Sequence, residues 1–320
     1  MKKYLSKILI FSSPIILVIV FIIVIDPYDF INISHVISDS DKIKVLNRSN
    51  ASEPRGNVIW KYISYRRKPI ENLLIGDSQG KYFDTAYIRE ITGEKYFNFN
   101  IPGGSYKTMF SLFWYATKLT KLKNVYFQCG FMNYNAYRDY NLINYGVDLV
   151  NNPITYFSNF KFLEDSYYNA YYALTKNEKL VEIYYLKMTL QELDSLAEYR
   201  ITNMFKKYKY PETYYKELKK ITDYCKENDI TFRFVITPNY IGLEKYIKKF
   251  GLTEDRDRFK SDLKSLAPTI DMEYLDGLSN DRSKYYDYFH CRREYVSRLV
   301  DMIWGKTNIN SFIKDNSDGQ

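Results

Sequence analysis

A serine two residues past the glycine that closes a short apolar run is a candidate nucleophile. In Asn72-Leu73-Leu74-Ile75-Gly76-Asp77-Ser78-Gln79-Gly80 the run has the length and flanking turn residues of a buried parallel strand. Residues that follow such a strand sit at its carboxyl end, where open α/β sheets bind ligands. A serine hydroxyl needs a base to attack at neutral pH. The chain holds two histidines, His35 and His290. His290 follows Asp287 by three residues, so a turn would let the carboxylate fix the imidazole tautomer and steady the imidazolium. Ser78, His290 and Asp287 are therefore candidates for the nucleophile, base and orienting group of an acyl transfer. Each has a plainer reading alone, Ser78 as a helix cap and His290 as a surface residue opening a helix.

Bringing the two segments together requires a sheet whose carboxyl edge collects them. The pattern predicts strands at residues 72–75, 96–101, 124–129, 231–236 and 271–275. Helical patterns fall at 85–92, ended by Gly93, and from the cap Ser105 to about 121, with Met109, Leu112, Phe113, Ala116 and Leu119 on one face. Two more fall at 212–227 and 292–304. This alternation predicts an α/β fold with a doubly wound, mostly parallel sheet. The turn Pro102-Gly103-Gly104 is the natural source of oxyanion donors, because glycines allow close backbone approach and the following helix adds a positive dipole end. Asp77 is expected to shape the nucleophile turn. Residues 131–210 are too many for one loop and read as a helical insertion, clearest at 180–196 and carrying fourteen tyrosines. A glycan-facing lid and a small aromatic core are both open readings of those rings.

Gly76-Asp77-Ser78 near the start of the domain and Asp-x-x-His near its end resemble the SGNH (GDSL-type) hydrolase superfamily over roughly residues 70–305. More narrowly, the chain resembles the membrane-anchored branch of D-alanine-transfer (DltD-like) proteins and acetyltransferases of exported polysaccharides. An apolar segment before Asp26-Pro27-Tyr28, the Thr237-Pro238-Asn239 turn and the Asp-x-x-His leading into a final helix carry that match. The resemblance implies a flavodoxin-like three-layer fold and Ser-His-Asp chemistry by Ser78, His290 and Asp287. It implies an oxyanion hole of a glycine N–H from the second motif, Gly104 in preference to Gly103, and an asparagine from the third. The third motif is Gly-x-Asn-Asp in the family; here it reads Gly130-Phe131-Met132-Asn133-Tyr134, which moves the asparagine to Asn133 and omits the aspartate. The family also implies a membrane-bound O-acyltransferase partner.

Residues 8–25 are an uncharged run, about 27 Å as a helix at ~1.5 Å per residue, close to the hydrocarbon thickness of a bilayer. Lys2, Lys3 and Lys7 precede it, which predicts a cytoplasmic amino terminus and an extracytoplasmic domain. No small-residue cleavage site follows, so an uncleaved anchor is expected over a signal peptide. The remaining organisation predicted is a linker at 26–70, the SGNH-like domain at 71–306 and a polar tail at 307–320. The net charge is +8 without a basic block or nucleic-acid motif, so nucleic acid is not an expected partner and the excess reads as solvated lysines. The resemblance implies an envelope glycan as partner, and the apolar run implies the membrane. Three cysteines without C-x-x-C argue against a disulfide framework or zinc site. No metal cluster or nucleotide fingerprint occurs, and no cofactor is expected. The function expected is a membrane-anchored serine O-acyltransferase or esterase for an exported polysaccharide. The alternative is a non-catalytic glycan-binding or scaffolding accessory protein of the same system.

Overall fold

The computed structural model describes residues 2–48, 56–181 and 188–305, apart from some side chains before Ile10. The tail expected at 307–320, part of the 26–70 connector, and Tyr184 and Tyr185 of the insertion lie outside the described residues. The chain opens with α1 (Lys2–Ile25), α2 (Asp39–Leu46) and α3 (Asn57–Arg67). It continues with β1 (Asn72–Gly76), α4 (Thr85–Thr92), β2 (Tyr96–Asn100), α5 (Tyr106–Thr117) and β3 (Asn124–Cys129). Helices α6 (Asn144–Asn151), α7 (Ile154–Ser158), α8 (Phe160–Thr175), α9 (Glu178–Val181), α10 (Leu190–Lys206) and α11 (Glu212–Glu227) follow. The last elements are β4 (Thr231–Ile236), α12 (Glu244–Lys249), α13 (Thr253–Leu266), β5 (Thr269–Asp271) and α14 (Val296–Trp304). The chain divides into two compact units, one of residues 1–67 and 142–186, the other of 68–141 and 187–320.

The second unit is α/β. Its five strands are all parallel in the order β2-β1-β3-β4-β5, the doubly wound order of flavodoxin-like sheets. β1 is buried throughout, as its unbroken apolar pattern requires. One face packs Leu74, Tyr126 and Val235 against Ile88 of α4 and Leu299, Val300 and Ile303 of α14. On the other, α5 lies against β1 and α11 against β4, with Phe127 stacked on Phe110. Asp84 caps α4 and Ser105 caps α5, each side chain accepting an N–H of the first turn. α4 stops at Gly93, whose φ of 76° is left-handed backbone that glycine adopts without strain. The chain reverses its winding between β1 and β3, so the crevice lies beyond their carboxyl ends. α12 and α13, between β4 and β5, are additions to the predicted pattern; α13 buries only Phe259 and Leu263, too thin a stripe to stand out among its charges.

The first unit corrects two expectations. Residues 26–70 are not a plain connector, and 131–210 is not one insertion: α6 to α9 join α1 to α3, whereas α10 and α11 belong to the α/β unit. The apolar periodicity of 26–48 is weak because polar groups carry much of the burial. Asp26 accepts the N–H groups of Phe30, Ile31 and Asn32 and the Tyr156 hydroxyl. Lys42, fully buried, pairs with Asp29 at 2.5 Å, and Arg48 pairs with Asp165 at 2.7 Å. Such groups enter a core only when paired. Of the tyrosines in 131–210, Tyr134, Tyr156 and Tyr172 are buried while Tyr137, Tyr167 and Tyr199 are exposed, so the set serves as core in part and as surface in part. Among the described residues no helix is long and apolar enough to cross a membrane. α1 leaves Ile10, Phe11, Ile15, Leu17 and Val20 exposed.

Candidate active site

Ser78 opens a single 3₁₀ turn directly after β1, and His290 lies in a loop closed by the antiparallel bridge between Tyr285 and Cys291. The Ser78 Oγ and His290 Nε2 are 2.6 Å apart, and His290 Nδ1 is 2.7 Å from Asp287 Oδ2. The other Asp287 oxygen accepts the N–H groups of Phe289 (3.0 Å) and His290 (2.7 Å), which makes the turn that the three-residue spacing needs. The three residues named from sequence thus form one hydrogen-bonded chain. His35 is exposed in the helical unit. Burial alone would raise the Asp287 carboxyl, but the imidazole and the two N–H groups outweigh it and hold it below the usual carboxylate range. Cys291 is no rival nucleophile, since burial pushes its thiol up to about 12.

The oxyanion assignments change. The Gly104 N–H is occupied, donating to the Ile101 carbonyl at 2.9 Å. Gly103, at φ 73°, is the residue that turns the chain, and its carbonyl is held by the Tyr140 hydroxyl and Arg138. Among the described residues, the N–H groups of Gly103 and Ser78 have no acceptor. Asn133 lies beside the nucleophile turn, but its amide donates to Asp77 Oδ2. Asp77 has the turn-shaping role expected of it, its Oδ1 accepting the Gln79 N–H at 2.8 Å.

Sequence reasoning missed an amide relay. The Asp77 N–H donates to Gln128 Oε1 (2.8 Å), and Gln128 Nε2 donates to Gln79 Oε1 (3.1 Å). Gln79 Nε2 then donates to the Phe289 carbonyl (2.7 Å) and to Asn239 Oδ1 (3.3 Å). Two side chains therefore tie the serine turn to the histidine loop across β3. Gly130 leaves room for this, because a Cβ there would stand 2.7 Å from Gln79 Oε1. Asn98 braces the far side of the turn by donating to the carbonyls of Gly80 and Phe83 at 3.2 and 3.0 Å. Gln79→Ala is expected to lower kcat for ester cleavage by about tenfold to hundredfold with little change in KM, the loss of ~1–3 kcal/mol of positioning. Steady-state kinetics check this, and an unchanged kcat would deny the relay a role.

Burial pushes the Asp77 carboxyl above the usual range, against the Gln79 N–H, His290 and the Asn133 amide. Above its unfolded value of ~3.9, such a group favours the fold most at lower pH. That contribution is lost as pH rises through the raised folded value. Asp287 acts in the opposite sense, contributing above ~3.9 and losing its contribution as pH falls through its lowered value. In denaturant melts from about pH 4 to 7, Asp77→Asn is therefore expected to gain stability relative to the parent as pH rises. A constant difference would show that Asp77 does not ionise against its burial.

Among the described residues no group of His, Cys, Asp and Glu could hold a metal ion. No protein-family model matches the chain, and no curated protein matches it.

Proposed function

We propose that the chain is a membrane-anchored, extracytoplasmic serine acyltransferase or esterase of SGNH type, acting on a cell-surface or exported polysaccharide. The observation that carries this is the Ser78, His290 and Asp287 chain, with spacings of 2.6 and 2.7 Å, at the switch point of a parallel sheet. In the proposed cycle His290 Nε2 takes the Ser78 proton as Oγ attacks the acyl carbonyl. Asp287 stays ionised, accepting the hydrogen bond of Nδ1–H, and steadies the imidazolium. The Ser78 and Gly103 N–H groups are assigned to the oxyanion, where losing one such donor costs ~3–4 kcal/mol. His290 returns the proton to the leaving oxygen. It then activates a sugar hydroxyl or water, which resolves the acyl-serine. A membrane-bound O-acyltransferase is the proposed source of the acyl unit. Turnover of a chromogenic acetyl ester, blocked by a serine-reactive phosphonate with the adduct mapped to Ser78, tests the reading. Phosphonate labelling that bypasses Ser78 would overturn it.

The anchor is proposed from the uncharged run 8–25 of the sequence and from the exposed Ile10, Phe11, Ile15, Leu17 and Val20, side chains that suit lipid better than water. The chain is expected to remain in the membrane pellet after an alkaline wash. Protease added outside intact spheroplasts should digest the α/β unit, and full protection would reverse the topology.

A further inference from the structure

Both catalytic segments end in cations that lack a carboxylate. Lys81 is one turn beyond Ser78, its N–H donating to the Ser78 carbonyl at 3.4 Å, and Arg292 and Arg293 follow His290 by two and three residues. Among the described residues none of the three forms an ion pair with a carboxylate, although Glu294 is next in the chain. The nearby Lys284 differs, being matched to Asp281 at 3.5 Å. The buried Nε of Arg292 has no hydrogen-bond partner.

These cations are held in place. Lys81 Nζ lies 4.5 Å and the Arg293 guanidinium 5.9 Å from the Tyr82 ring centre. The Arg292 guanidinium is 5.0 Å from the ring of Tyr286, whose N–H donates to the His290 carbonyl at 2.9 Å. A solvated lysine or arginine loses rotamer freedom when it binds an anion; a side chain already resting on a ring loses less. Guanidinium forks also match carboxylate and phosphate oxygens in pairs.

We propose that Lys81, Arg292 and Arg293, braced by Tyr82 and Tyr286, form an anion-binding rim that seats a negatively charged sugar polymer beside Ser78. Its role as the acceptor site rests on the serine-chemistry reading, but binding does not. The charge could come from sugar carboxylates or from phosphodiester links, and the rim suits either.

The test is direct titration of the full chain in neutral detergent, read without turnover, so that it stands or falls apart from the ester assays. The probes are an oligogalacturonate, a glycerol-phosphate oligomer and a neutral malto-oligosaccharide of matched length. One or both anionic oligomers should bind, more weakly as salt rises, and the one that binds identifies the source of charge. Lys81→Gln/Arg292→Gln/Arg293→Gln should weaken that binding about tenfold or more. Lys81→Gln/Arg293→Gln, which spares half-buried Arg292, should weaken it at least about threefold. Removing the same charge from exposed lysines elsewhere, Lys121→Gln/Lys216→Gln/Lys226→Gln, should change it less than about twofold. Equal binding of the neutral probe, equal loss in the control triple, or retention only by anionic vesicles would each overturn the rim.

Discussion

His290→Ala is expected to lower ester turnover by about 10⁴- to 10⁶-fold, as in serine proteases whose base is removed. Ser78→Ala should fall to the same floor, because the two residues act as one unit and their losses do not add. The hydroxyl is 2.6 Å from the imidazole and has no other base at that distance among the described residues. His35→Ala should leave the rate within about twofold, as expected for an exposed side chain in the other unit. Neither Ser78→Ala nor His290→Ala removes core volume, so circular dichroism and melting should resemble the parent. If the His35 and His290 variants lose activity alike, the serine mechanism is wrong and the accessory-protein reading takes its place.

Asp287→Asn carries the second large effect, about 10⁴-fold in kcat. The amide oxygen can still accept the Phe289 and His290 N–H groups, so the turn survives. The amide nitrogen would then face Nδ1, now 2.7 Å from a carboxylate oxygen, and would donate to it. That places the imidazole proton on Nε2, where it points at Ser78 and cannot accept the hydroxyl proton. Kinetics of the variant, with circular dichroism expected to match the parent, provide the check. A loss smaller than about tenfold would mean that Asp287 does not set the tautomer.

The parts of this fold that depend on apolar pattern were readable. β3 and β4 run at 124–129 and 231–236 as predicted, and α4 spans 85–92 to its glycine. Ser78, His290 and Asp287 were readable because a strand end and a three-residue turn restrict where such side chains can go. Gln79 and Gln128 were not, since an amide relay across β3 depends on tertiary distance and has no spacing rule. Gly104 was preferred to Gly103 for want of one fact: which peptide of the turn spends its N–H on the Ile101 carbonyl. The helical unit escaped notice because Lys42 and Arg48 look like solvent-facing residues until Asp29 and Asp165 are beside them.

That last pairing bears on how the chain is made. Tyr28 and Arg48 reach Asp165 across 137 and 117 positions, with β1 to β3 lying between. A ribosome adding ~5–20 residues per second delivers Asp165 roughly 7–27 s after Tyr28. Through that interval the amino-terminal piece holds a cation and a phenol whose shared carboxylate, Asp165, has not been synthesised. It cannot complete its interior, while the strands that carry Ser78 already have local neighbours. Emergence order thus favours assembly from the middle of the chain outward, with the earliest-made segment among the last to settle.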